Sequence, residues 1–599
     1  MKTLRVIWSL IRYQPLLYLG DQLSWILVHL SPLVPGFLYR AFFNSLTGDA
    51  PVGLTPEGIL ALVVAFAVGQ TGLRAMGFLT DMPHRFMTVS LLRTNVFARL
   101  MERPGALALP GAVGDVFNVM RDDAKQIEDL LSWFCDLTGI LAFGALSLLT
   151  LFSINAEMAV LVFLPLLAVA VVAQLAAHRV QKYRYALRDA DSAVADSLNE
   201  MFESAQAIQV GGAEQRVIAR FKALSEVRKG AAIKDRVFAQ LLELIGNGAT
   251  SLGTGFILLV AASAMQPGLA KPFTVGDFAL FVNYLATISF FTVFVGRIVS
   301  TLRQARVAVE RMAGLLPDLD PVAIAQHRPL YLRGPEPAVI APPRDRLETL
   351  EVRGLTCLHP STGRGVEKID FALARDTLTV VTGRIGAGKT TLVRALLGLL
   401  PVQSGELRWN GERIADPAAF FVPPRSAYLP QVPRLFSDTL ANNILLGSSD
   451  ARQRPPEERI REALWLAVLE EDVESFEHGT ETQVGTRGVR LSGGQAQRAA
   501  AARAYAQGAE LLVLDDLSSA LDVVTEHRLW ERWDALRGSG QVGSHTALAI
   551  SHRRAALKRA DRILVLKDGT LDDVGTLDEL LTRCEEMRQI WNARDAGEE

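Results

Sequence analysis

Charge is what this sequence goes longest without. Residues 137–156, 158–177, 244–270 and 278–296 contain no Asp, Glu, Lys or Arg. A helix needs about 20 apolar residues to cross a bilayer. Stretches of that order in one half of a 599-residue chain exclude an ordinary water-soluble helical domain there. Cysteine is scarce as well. Cys135, Cys357 and Cys584 lie far apart, with no CxxC or metal-type spacing, which excludes a disulfide framework and a zinc or redox motif. They read as packing thiols. An excess of one charge sign is also missing. The formal net charge is −2, so no overall basic field draws the chain to nucleic acid, and no nucleic-acid partner is expected. A chain this long predicts two or more domains.

What is present falls into two halves. Two further apolar stretches, 13–39 with Asp21, His29, Pro32 and Pro35, and about 58–80 with Gln70 and Arg74, bring the expected spans to six. Ionisable residues inside spans are functional candidates by default, so Asp21, His29 and Arg74 are candidate ligand contacts. Residues 44–57 and 153–157 hold no Lys or Arg, and 267–276 hold only Lys271, whereas 83–130 hold six and 178–236 eleven. The positive-inside rule then places the long segments and both termini in the cytoplasm. Those segments have helical composition, so the spanning helices are expected to continue beyond the bilayer and return. The N-terminal "MKTLRVIWSLIRYQ" lacks a small-residue cleavage site and reads as an interfacial amphipathic helix, not a signal peptide. Residues 317–346 carry seven prolines and read as a linker. The boundaries are thus 1–316 for the membrane domain, 317–346 for the linker and 347–599 for an α/β domain, where strand-like and helix-like segments alternate.

"DTLTVVTGRIGAGKTTLVRALLGLL" reads strand, glycine loop, helix, and matches GxxxxGK[ST] through Gly383, Gly388, Lys389 and Thr390. Glycines let backbone N–H groups curl toward phosphate oxygens, and the helix that follows offers its positive end. Gly383, Arg384, Gly386, Gly388, Lys389, Thr390 and Thr391 are the candidate nucleotide-holding residues. Lys389 reaches for the β- and γ-phosphates, and the Thr390 hydroxyl ligates Mg²⁺. Farther on, "LLVLDD" ends a buried-strand pattern in Asp515 and Asp516. An acid ending a strand downstream of such a loop can hold Mg²⁺ through water, so Asp515 is a candidate metal residue. Asp516 would face the γ-phosphate, as a general base toward the attacking water. In "RLSGGQAQRAAAARAYA", Ser492, Gly493 and Gly494 open an alanine-rich helix and form a second anion site. Two such sites cannot easily share one phosphate tail within one domain. Facing each other across two chains, they would sandwich it.

These motifs together resemble the nucleotide-binding domain of ATP-binding cassette (ABC) transporters. The chain from about residue 5 to 590 is similar to an exporter-type half-transporter: six spanning helices with long cytoplasmic extensions, then one P-loop ATPase domain of ABC type. "LSGGQ" at 491–495, Gln495 included, matches the family signature. The resemblance implies roles for Gln431, in the Q-loop, toward Mg²⁺ and the membrane domain, and for His552, the switch histidine near the γ-phosphate. It implies an X-loop at 482–488 and a D-loop at 519–522 ending in Asp522. It also implies coupling helices around Leu107–Asp115 and Ile208–Glu214, ATP and Mg²⁺ as cofactors, a second half-transporter as partner, and a multi-pass location in a bacterial plasma (inner) membrane.

The sequence departs from the family pattern twice. Asp516 stands where active cassettes usually have Glu. Its carboxylate is retracted by roughly 1 Å, and a misplacement of that size costs about 10²-fold in rate, so slow hydrolysis at this chain's own site is expected. His359 stands where an aromatic residue, usually Tyr, stacks on adenine. An unusual acid beside an intact signature leaves a heterodimer open alongside a homodimer. The mostly apolar bundle favours an amphipathic or hydrophobic cargo (lipid, drug or peptide-like) and export, with an exporter-fold importer, for example of a metal chelate, as the alternative.

Overall fold

A computed structural model describes residues 2–48, 53–107, 109, 113–265, 273–317, 319–330, 345–359, 362–446, 455–485, 489, 491–518, 520–538 and 546–592. The chain forms two compact units, Met1–Leu100 with Leu109–Leu332, and Met101–Ala108 with Arg333–Glu599.

The first unit is helical: α1 (Lys2–Tyr13), α2 (Pro15–Leu30), α3 (Leu33–Thr47), α4 (Pro56–Met101), α5 (Val113–Asn118), α6 (Ala124–Ile154), α7 (Ala156–Glu203), α8 (Ala205–Val210), α9 (Glu214–Ala264) and α10 (Val275–Gly314). Among the described residues, Pro15–Thr47, Pro56–Met101 and Val113–Ile154 are long and apolar enough to cross a membrane. Helices α7, α9 and α10 carry most of the three remaining uncharged stretches. With 51 residues, α9 is about 77 Å long at 1.5 Å per residue, more than twice the apolar thickness of a bilayer.

Two sequence expectations meet a more specific reality here. The first apolar stretch is not one helix, because Ser31 and Pro32 separate α2 from α3. The apolar face of α1 packs on protein. Val6, Ile7 and Leu10 are buried with Leu91, Val309, Met312 and Ile324, leaving Leu4 and Trp8 outward. Beside it, exposed Arg5 pairs with Asp320 at 2.7 Å. At the other end of the bundle, Arg40 on α3 pairs with Asp277 at 2.7 Å, and Asp277 also closes a capping box with Thr274 at the start of α10.

The second unit contains two sheets, built from β1 (Thr349–Leu358), β2 (Gly365–Ala374), β3 (Leu378–Gly383), β4 (Ser404–Trp409), β5 (Glu412–Arg413), β6 (Ser426–Leu429), β7 (Leu511–Asp515), β8 (Thr546–Ile550), β9 (Arg562–Lys567) and β10 (Thr570–Gly575). One sheet has the order β2-β1-β4-β5 and is antiparallel. The other runs β10-β9-β3-β8-β7-β6. It is parallel from β9 to β6, with β10 antiparallel at the edge. Every residue of β3, β7 and β8 is buried, which explains their unbroken apolar runs: a parallel sheet covered on both faces offers no solvent side. The helix Gly493–Ala506 covers one face, with Ala499, Ala500, Ala501, Ala502 and Ala504 buried. Small side chains let its backbone approach the sheet closely.

Residues Met101–Ala108 cluster with this second unit. The Ala106 N–H donates to the Leu399 carbonyl at 3.0 Å. This segment adjoins the first candidate coupling helix, Leu107–Asp115, of which residues 108 and 110–112 lie outside the described residues. The second candidate forms the short α8 and the turn before α9, with Val210 fully outward.

Candidate functional site

Parallel strands all present their carboxyl ends at one edge, and open α/β sheets bind ligands there. In this sheet that edge collects Gly383 at the end of β3, His552 after β8, Asp515 and Asp516 at the end of β7, and Gln431 after β6. The register is direct. Leu429 pairs with Leu514, and Asp515 with Ile550.

The glycine loop is shaped by backbone need. Gly383 has φ +149, and a Cβ there would meet the Leu566 carbonyl oxygen at 2.3 Å. Gly388 has φ +96, and its Cβ would lie 2.7 Å from Val366 Cγ1. A left-handed residue at the N-cap lets the chain turn straight into the helix Lys389–Leu396 without a capping side chain. The first amide groups of that helix are therefore left without an intrahelical acceptor. Lys389 Nζ donates to the carbonyls of Gly383 at 2.7 Å and Arg384 at 2.9 Å. Burial pushes its pKa down, while Asp516 and Asp515 act to raise it.

The two acids play different parts. Asp515 is 1% exposed. Its Oδ1 accepts from the Thr390 hydroxyl at 3.2 Å, and its Oδ2 from the Tyr428 hydroxyl at 3.3 Å. Burial raises its pKa, against the lowering effect of the Thr390 hydrogen bond. Asp516 follows with φ +59, in the left-handed region that Asp enters more readily than most residues. Its N–H donates to Ile550 O at 3.2 Å. A cavity of about 500 Å³ lies beside the loop, lined by Gly383, Arg384, Ile385, Lys389, His552, Gln589 and Ile590. It brings the glycine loop and His552 together.

The other candidates are not among the residues lining that cavity. His359 is exposed at the turn between β1 and β2, where its N–H donates to Arg364 O at 2.8 Å. Gln431 is exposed. Asp522 caps the helix Val523–Gly538, accepting from Thr525 N at 2.9 Å and Thr525 Oγ1 at 2.7 Å, and these bonds hold its pKa down. Thr391 lies in the first turn of the helix after the loop. Ser492 closes a capping box with Gln495: Oγ accepts from Gln495 N at 3.2 Å, and Gln495 Oε1 accepts from Ser492 N at 2.9 Å. Gln495 Nε2 continues to Asp472 at 2.9 Å. Among the described residues no hydrogen bond joins Ser492, Gly493 or Gly494 to Lys389 or Thr390. Ser519 and residues 486–488, parts of the expected D- and X-loops, lie outside the described residues.

Sequence reasoning missed several neighbours. Tyr428 braces Asp515, and Gln497 donates to the Asp516 carbonyl at 3.4 Å. Arg553, beside His552, pairs with Glu526 at 2.7 Å. Only Gln497 had a local signal, two residues past the signature. In the first unit, Asp21 is completely buried, bonded by Thr80 at 3.4 Å and Cys135 at 3.7 Å. His29 pairs with Asp136 at 2.8 Å. Arg74 is exposed on α4. The cluster around Arg85 was not anticipated. Its Nε lies 3.2 Å from both Asp81 and Glu128, and the i,i+4 spacing of Asp81 and Arg85 was its only trace in the sequence.

Comparisons with known proteins fit this architecture. A family model described as "ABC transporter transmembrane region" matches residues 18–293, and one described as "ABC transporter" matches residues 366–519. The chain is similar to the ATP-dependent lipid A-core flippase of Xylella fastidiosa (strain Temecula1 / ATCC 700964), at 26% identity over 95% of this chain and 94% of that protein. It is 27% identical to the protein of the same name from Ralstonia nicotianae, over 88% of this chain and 85% of the relative. It is 26% identical to heavy metal tolerance factor 1 of Caenorhabditis elegans, over 86% of this chain and 62% of that protein. Among solved structures, a bacterial Atm1-family ABC exporter with ATP bound superposes with a TM-score of 0.73 at 22% identity, covering 97% of this chain and 99% of that one.

Proposed function

The chain belongs to the ABC transporter family, one transmembrane region joined to one nucleotide-binding domain, and we propose that it is half of a dimeric exporter of an amphipathic or hydrophobic, lipid-like substrate. It is an integral membrane protein, and its cassette is an ATP-binding domain whose ATPase activity is coupled to transport. The observation that carries the finer reading is the gathering of Lys389, Thr390, Asp515, Asp516 and His552 at one edge of the parallel sheet. In this reading the membrane domain crosses a bacterial inner membrane six times, with the cassette and both termini in the cytoplasm.

Each residue then has a task. Backbone amides from Gly386 to Thr391 bind the phosphates, and Lys389 leaves its two loop carbonyls to meet them. The fit to Mg²⁺ is good, because the Thr390 hydroxyl and the Asp515 carboxylate place hard oxygen donors 3.2 Å apart. Gln431 would complete the set from the adjacent strand end. When bound there, Mg²⁺ neutralises phosphate charge. Asp516 accepts a hydrogen bond from the attacking water, and His552 faces the terminal phosphate. His359 covers the base. Ser492, Gly493 and Gly494 of one protomer, together with Asp522, cover the nucleotide held by its mate. ATP favours the closed pair of cassettes, and that differential affinity shifts the bundle.

The name of the flippases to which this chain is similar supports a lipid-like cargo. A second reading makes the chain the slow subunit of a heterodimer. Asp516 in place of Glu, beside a complete capping box at Ser492, favours it. Purifying the chain alone and weighing the detergent-solubilised particle separates homodimer from heterodimer. The function itself is tested by ATPase assays in nanodiscs against lipids, drugs and peptides, with a transbilayer movement assay. Stimulation by a lipid, and its ATP-dependent transfer, is expected. Turnover indifferent to every cargo class, with no transfer, contradicts the exporter reading.

A further inference from the structure

The ATP chemistry above makes no use of the last described helix, Glu585–Asn592, yet that helix walls the site. Gln589 and Ile590 line the same cavity as Lys389 and His552. Fully buried Met587 anchors the helix in the core, and both of its ends are tied to loops of the site. Glu586, with a side chain only 3% exposed, pairs through Oε1 with Arg384 Nε at 2.7 Å. Gln589 Oε1 accepts from Nη2 of the same guanidinium. At the far end, Arg554 lies 4.7 Å from the Trp591 ring centroid and donates to the Trp591 carbonyl at 3.0 Å. Arg554 stands two residues after His552.

Arg384 belongs to the glycine loop itself. Its carbonyl holds Lys389 at 2.9 Å, and its side chain is 62% exposed. A guanidinium in a phosphate cradle is a fork-shaped anion binder. In this structure the anion it meets is the carboxylate of Glu586. A polyphosphate and that carboxylate compete for one cation.

We propose that Glu586, assisted by Gln589, is a built-in competitor that holds Arg384 away from the polyphosphate tail and sets the nucleotide affinity of the site. ATP binding draws Arg384 off the helix, and Arg554 links that release to the His552 segment. Glu586 is a positioning residue acting through Arg384. The inference rests on the glycine loop being the nucleotide cradle.

The test measures MgATP affinity of the full-length protein in nanodiscs, for Glu586→Gln, Gln589→Ala, Arg384→Ala and the two double variants with Arg384→Ala. Glu586→Gln is expected to tighten binding about fivefold, the scale of one partly exposed ion pair, and exposed Gln589→Ala about twofold. Both gains vanish in the Arg384→Ala background. A gain that survives without Arg384 reflects the general field of the carboxylate and overturns the proposal, as does unchanged affinity in both single variants. Should buried Glu586→Gln fail to fold, Gln589→Ala carries the test alone. Lys389→Ala separates the premises. If it binds MgATP at the parental affinity, the cradle reading fails. If it loses binding while the Glu586 and Gln589 variants match the parent, only the competitor fails.

Discussion

Two helices in the cassette begin beside glycines, and they begin differently. The helix Lys389–Leu396 starts from left-handed Gly388 with no capping side chain. The helix Gly493–Ala506 starts from Ser492 in a closed capping box, whose Gln495 is tied onward to Asp472. The first leaves its first-turn amide donors without a side-chain cap. The second closes its own end with a reciprocal pair of capping hydrogen bonds. In the proposed reading these are a cradle and a lid, the lid serving another protomer's cradle.

The sharpest way to break this contrast is Lys389→Ala. It removes the cation of the cradle and should lower ATP turnover by about 10³-fold, the upper range for losing one preorganised charge-stabilising donor. Full turnover would mean that the cradle is elsewhere. Next in size is Asp516→Glu. Restoring the missing methylene should raise turnover, by up to about 10²-fold, even though Glu enters the φ +59 conformation less readily than Asp. Turnover at or below the parental rate would contradict the retraction argument. Smaller effects compare the two helix starts in stability alone. Gly388→Ala should cost about 1–3 kcal/mol, because it combines φ +96 with a 2.7 Å approach to Val366. Ser492→Ala should cost about 1 kcal/mol, the worth of a lost cap. Thermal melts of the detergent-solubilised protein rank them, and the reverse order would deny the difference in design.

Much of the site was legible because it is local. The glycine loop, the strand ending in two acids and the capping signature each occupy fewer than a dozen consecutive residues, and their periodicity and turn chemistry are properties of the segment itself. Sequence also separated a membrane half from an α/β half. What it could not show depends on packing between distant segments. Tyr428 reaches Asp515 because β6 pairs with β7. Gln589 and Ile590 reach the cavity beside the glycine loop from about 200 residues beyond it. Arg85 gathers carboxylates from α4 and α6, whereas the charged residue singled out beforehand on α4, Arg74, faces outward. Helix α1 illustrates the same limit, since amphipathicity announces an apolar face without saying whether lipid or protein will cover it.

The most direct test of the shared site uses two copies of the chain linked in tandem, scored by nucleotide occluded with vanadate. With Lys389→Ala in one copy and Ser492→Glu in the other, a site shared between protomers leaves one intact pair, and occlusion should persist at about half the parental level. With both substitutions in the same copy, every site is damaged and occlusion should vanish. Occlusion in the second tandem and not in the first would place cradle and lid in a single chain and contradict the account.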